Sequence, residues 1–137
     1  MKELNIPAVR ENLTQAMDFA DEQLRETDCP ESVRTQIELV VEEIFMNIAA
    51  YAYASCCGYV RIGMEVNDGT AVIRFTDTGT PYNPLSRADP DTETPPKGRK
   101  KGGWGIFISK KMTDDMKYEY GDGQNILTVR KSWNAVK

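Results

Sequence analysis

The chain has 137 residues, 40% of them apolar and 28% charged, with a net charge of −4 and no histidine. That length and composition predict one soluble globular domain spanning residues 1–137. The acidic balance argues against direct nucleic-acid binding, and the missing histidine excludes Ser-His-Asp and Cys-His catalysis and a phosphohistidine relay within this chain.

No run of 18 apolar residues occurs, and Glu3 and Asn5 break the basic-then-apolar pattern of a signal peptide, so a cytoplasmic protein without a membrane contact is expected. Cys29, Cys56 and Cys57 fit neither a disulfide framework nor metal-ligand spacing and are expected to be reduced thiols. Val9, Leu13, Ala16, Met17, Ala20 and Leu24 recur at three- and four-residue steps, which predicts an amphipathic helix from about Pro7 to Thr27. Pro30 and Glu31 open a second helix, whose stripe runs through Val33, Ile37, Val40, Val41, Ile44 and Ile48 to about Ser55, before Gly58.

The period then changes to two. Val60, Ile62, Met64 and Val66 alternate with polar neighbours, Asn67 to Thr70 supply turn chemistry, and Ala71, Ile73 and Phe75 continue in a second strand that delivers Asp77 to its end. Thr78 to Gly103 has no apolar period and reads as a long loop. A helix from about Trp104 to Met112 and a hairpin, Met116–Tyr120 with Asn125–Lys131, complete the chain. Helices on one side and hairpin-linked strands on the other give an α+β fold, a two-layer sandwich.

At 100° per residue, Asn47 lies roughly 60° from Ile44 at the centre of the second helix's stripe, and Glu43 roughly 100° away on the same flank. Glu42 falls about 160° away and points into water. An amide oxygen can ligate a hard cation and a carboxylate can take a proton, although a solvated flank is the better explanation of the pair by itself. Asp77-Thr78-Gly79-Thr80-Pro81 follows a strand and Gly102-Gly103-Trp104-Gly105 precedes a helix. Each alone is a turn or a hinge, but glycines before a helix also bring N–H groups to phosphate oxygens.

In this order, Glu43 to Asn47 resembles the N box of the GHKL ATPases, Asp77-Thr78-Gly79 the first glycine box, and Gly102 to Ile106 the second. The stretch Asp77 to Pro84 and the closing strand Asn125 to Lys131 are similar to the bacterial anti-sigma-factor serine kinases. That resemblance implies a Bergerat-type fold with a mixed, mainly antiparallel sheet, a lid at about 82–102, and ATP with Mg²⁺ as ligands. It implies that Glu43 orients or deprotonates the attacking hydroxyl and that Asn47 holds Mg²⁺. Asp77 would accept from the exocyclic amine of adenine, with Gly79 small so that the base lies close. Gly103 and Gly105, beside Trp104, would present N–H groups to phosphates, Lys101 with Lys97, Arg99 and Lys100 would neutralise them, and Thr128 would lie beneath adenine.

The implied partners are an antagonist protein phosphorylated on serine and a sequestered sigma factor, with a homodimer through the first helix and the outer sheet face. One departure bears on activity: Tyr51 stands where many of these kinases carry histidine, and a phenol cannot carry the proton an imidazole carries near neutral pH. A non-catalytic, ATP-dependent partner-switching module is therefore the alternative, and a sensor-kinase-like ATPase a third reading.

Overall fold

A computed structural model describes residues 1–53, 58–86 and 104–133, with Trp104 described for its backbone alone. The chain runs β1 (Lys2–Pro7), a 3-10 turn (Arg10–Asn12), α1 (Leu13–Arg25), α2 (Glu31–Tyr51), β2 (Tyr59–Asn67), β3 (Thr70–Asp77), a 3-10 turn (Pro84–Ser86), α3 (Trp104–Met112), β4 (Asp115–Gly121) and β5 (Gln124–Ser132). The strands form one sheet in the order β1-β2-β3-β5-β4.

Period-two alternation decides which face is covered. Val60, Ile62 and Met64 of β2, Ala71, Ile73 and Phe75 of β3, and Leu127 and Val129 of β5 are buried, and the helices lie against them. α2 answers with Ile37, Val40, Val41, Ile44 and Phe45, while α1 contributes the small residues Ala16 and Ala20 with Leu24, which let the two helices pack closely. Both hairpins turn on Asp-Gly with positive φ at each position, 49° and 74° at Asp68 and Gly69, and 53° and 75° at Asp122 and Gly123. Such turns match the right-handed twist of the strands they join.

Three expectations are corrected. β1 was not anticipated, and α1 begins at Leu13 rather than near Pro7, because residues 2–7 pair with β2 from Lys2↔Met64 to Pro7↔Tyr59. Helix α2 ends at Tyr51, four residues before the expected Ser55, and residues 54–57, including Cys56 and Cys57, lie outside the described residues. The sheet is antiparallel at every pairing rather than mixed. The crossover through α3 does make β3 and β4 run the same way, but the closing hairpin slips β5 between them. Cys29 is buried and unpaired in a disulfide, and burial pushes its thiol pKa up, which suits an inert reduced residue. Among the described residues no helix is long and apolar enough to cross a membrane.

Candidate functional site

The helical phase of α2 sets the site's first wall. Glu42 is exposed and Glu43 and Asn47 are half-buried, as their angles from Ile44 require. Asn47 and Asp77 line the same cavity, which lies between α2, the ends of β3 and β5, Tyr118 of β4 and the segment Thr80–Pro84. Its free volume is about 40 Å³. That is room for about three waters.

Asp77 sits at the last position of β3, on the core face, directly opposite Asn125 of β5. Burial of a carboxylate requires partners. Its Oδ1 accepts from the Gly79 N–H at 2.9 Å and from Asn125 Nδ2 at 3.0 Å. Its Oδ2 has no hydrogen-bond partner among the described residues, and since no buried side-chain polar atom is orphaned there, that oxygen opens onto the cavity. A carboxylate held this way presents one acceptor to an incoming N–H.

Gly79 is fixed by a close approach. A Cβ at this position would lie 2.2 Å from the carbonyl oxygen of Ala52, the cap residue of α2, and the same carbonyl accepts from the Thr80 N–H at 2.8 Å. The turn after β3 is thereby pinned to the end of the helix that carries Asn47. Tyr53 reinforces the joint, because its hydroxyl donates to the Tyr59 carbonyl at 2.7 Å and accepts from the Thr78 N–H at 3.0 Å.

Beside the cavity, outside its lining, Gly105 opens α3 against Glu43, and a Cβ there would fall 1.8 Å from Glu43 Cδ. A side chain here would push the Glu43 carboxyl aside, a reason for glycine independent of any phosphate. Burial is the main cause of a raised Glu43 carboxyl pKa, with the charge of Glu42 adding to it. A carboxylate whose pKa is raised is a better proton acceptor. Neither Glu43 nor Asn47 makes a side-chain hydrogen bond among the described residues.

Two readings of the sequence change here. Thr128 stands opposite Arg74 and Lys117 on the sheet face turned away from the helices, because it alternates with the buried Leu127 and Val129. It does not line the cavity, whereas Asn125, three residues earlier and on the core face, does. Asn125 was missed; a polar residue at a core-facing register position opposite Asp77 is the signal that could have found it. Lys97, Arg99, Lys100, Lys101, Gly102 and Gly103 lie outside the described residues, as does the side chain of Trp104. Among the described residues no three of His, Cys, Asp and Glu converge on a metal-sized space. Tyr51 lines the cavity mouth with 60% of its surface exposed, its ring tilted against that of Tyr82 at 6.4 Å.

The chain resembles proteins of known structure over nearly its whole length. The RsbU and RsbW domains of Rv1364c from Mycobacterium tuberculosis match with a TM-score of 0.63 and 16% identity over 96% of this chain, which spans 32% of that one. The Acinetobacter baumannii histidine kinase AdeS matches with a TM-score of 0.52 and 16% identity, covering 98% of this chain and 70% of the other. At such identity the likeness is one of fold. No curated protein matches the sequence significantly. The pattern of the histidine kinase-like ATPase domain matches residues 6–131, and the chain belongs to that family.

Proposed function

We propose that this domain binds Mg-ATP and transfers the γ-phosphoryl group to a serine of a small antagonist protein, and that the same surface sequesters a sigma factor in a partner-switching cycle. The observation that carries the nucleotide half is the shared cavity: the free Oδ2 of Asp77 and the free carboxamide of Asn47 face one space from opposite elements. Asp77 selects the exocyclic amine of adenine, since guanine offers a carbonyl there. The N–H groups and dipole at the first turn of α3 would favour the phosphates of a bound nucleotide.

Asn47 fits a magnesium ion in chemistry, since its amide oxygen is a hard ligand. Mg²⁺ takes few protein oxygens and keeps several from water and phosphate, so the absence of a carboxylate cage among the described residues is no obstacle. Bound there, the ion would supply charge neutralisation for the transferring phosphoryl group. Glu43 then orients the attacking hydroxyl and takes its proton, a role that its raised pKa suits.

The serine-kinase and sigma-factor reading rests on the resemblance of Asp77 to Pro84 and of the last strand to the anti-sigma-factor kinases. Tyr51 favours the second reading, a module that uses ATP to set the shape of its lid and its choice of partner without transfer. Titration with Mg-ATP separates these from no function at all: calorimetry and indole fluorescence should both respond, and flat traces in both end the nucleotide reading. Glu43→Ala should keep nucleotide affinity within a few-fold and lower phosphoryl transfer to the candidate antagonist by about 10²- to 10⁴-fold. Equal labelling by the variant removes Glu43 from the chemistry, and no labelling by the native protein favours the module.

A further inference from the structure

Asn125 spends every polar group it has within the protein. Its Oδ1 accepts from the Tyr82 N–H at 3.1 Å and from the Tyr118 hydroxyl, and its Nδ2 donates to Asp77 Oδ1 and, at 3.1 Å, to the Thr80 carbonyl. A carboxamide can be placed either way round, and here a single group decides it. The Tyr82 backbone N–H is only a donor, so the atom facing it must be the amide oxygen. Tyr118 agrees, because burial raises its hydroxyl pKa and keeps it a donor. The nitrogen is thereby turned to Asp77, whose Oδ1 must act as an acceptor toward it. Only Oδ2 is left for a ligand.

We infer that Asn125 is a positioning residue that sets base specificity, transmitting the placement of the covering segment at Thr80–Tyr82 to the carboxylate of Asp77. Asn125 touches no base. With the segment closed, its amide is locked and Asp77 offers one fixed acceptor that takes an exocyclic amine and rejects a carbonyl. With the segment open, the lock loses its Tyr82 donor and Thr80 acceptor together, and Asp77 is free to turn. Selection of the nucleotide therefore holds as long as Thr80 and Tyr82 keep their bonds to Asn125. This rests on the ATP-binding reading above.

The test measures ATP and GTP affinities by calorimetry for the native protein, Asn125→Asp, Asn125→Ala and Tyr118→Phe, at pH 6 and pH 8, with thermal melts alongside. Asn125→Asp replaces the amide donor with a second carboxylate facing Asp77, and facing carboxylates share a proton more readily as pH falls. The variant's ATP affinity and its preference over GTP should each fall about tenfold at pH 8 and by less at pH 6. Asn125→Ala should lose the same preference at both pH values. Tyr118→Phe, which removes one hydroxyl from an edge strand and leaves the sheet folded, should reduce the preference a few-fold without abolishing binding. Native ATP-over-GTP preference in folded Asn125→Asp at pH 8, or unchanged preference in Tyr118→Phe, overturns the inference while leaving ATP binding intact. Failure of the native protein to bind either nucleotide overturns the underlying reading instead, and this inference with it.

Discussion

The two ends of the proposed nucleotide site are built on opposite plans. At the proposed base end, Asp77, Gly79 and Asn125 are tied to one another and to the end of α2, with Asp77 and Asn125 both less than a tenth exposed. At the proposed phosphate end, Asn47 in the cavity lining and Glu43 one turn away on α2, outside it, sit half-buried with no side-chain partner among the described residues. Recognition of a rigid planar base is served by acceptors held before the ligand arrives, since pre-organisation lowers the cost of binding. Phosphoryl transfer needs groups that can follow a changing charge and a metal, and those are left unengaged until ligand supplies their partners.

The contrast is broken most forcefully at Gly79. The atom that an alanine would strike is the backbone carbonyl of Ala52, which has no room to turn aside. Gly79→Ala should cost ~2–3 kcal/mol of stability from overpacking, lower Tm in a thermal melt, and weaken nucleotide binding by about a hundredfold, because the turn carrying Asp77 leaves α2. Gly105→Ala meets only the end of a flexible side chain, the Glu43 carboxyl. The fold should be unharmed or stabilised by up to ~1 kcal/mol, since alanine favours the helix. Transfer, measured in a single turnover, should fall about 10- to 100-fold as Glu43 is pushed aside, with nucleotide affinity changing little. Equal losses in both variants would dissolve the difference between the ends. A smaller effect sharpens it: Asn47→Ala should weaken Mg-ATP several-fold in calorimetry and leave magnesium-free ATP nearly unchanged.

Much of this arrangement could be read before any coordinates. The 3.6-residue phase of α2 singled out Glu43 over Glu42 and put Asn47 beside it, and two Asp-Gly turns announced both hairpins. Local chemistry carries such features. What escaped was set by pairing partners distant in sequence. β1 has only Leu4 and Ile6 facing the core and is made a strand by β2, some sixty residues away. Asn125 means nothing until register places it opposite Asp77, and Thr128, attractive as a lone polar residue, is turned outward by that same register. Only the structure shows that the reason for Gly105 is Glu43.

A third region provides the control for both ends. On the far side of α2, Glu38 lies against Asp21 of α1, with Arg25 beside Asp21 and Arg34 within 3.4 Å of Asp21 and 3.9 Å of Glu38. Burial, then the hydrogen bond to Asp21 and its charge, raise the Glu38 pKa from 4.5 to about 7, against the pull of Arg34 and Arg25. The folded protein thus holds a proton that the unfolded chain has released between those values. The stabilisation is complete below pH 4.5 and is lost as pH rises through about 7. The Asp21 pKa is lowered, chiefly by Glu38 and then Arg25, so its contribution is lost only as pH falls below its ordinary 3.8, outside this window. Glu38→Gln keeps a donor for Asp21 and removes the titration. Relative to the native protein, the variant should gain ~1–2 kcal/mol between pH 5 and pH 8, after allowance for partial solvent screening. That gain should be visible as a Tm difference that opens with pH. ATP affinity should stay the same at every pH, because Glu38 is absent from the cavity lining. A change in affinity that tracked the Tm difference would mean that the α1–α2 joint and the nucleotide site are one mechanical unit, and that the base end owes its rigidity to more than Asp77, Gly79 and Asn125.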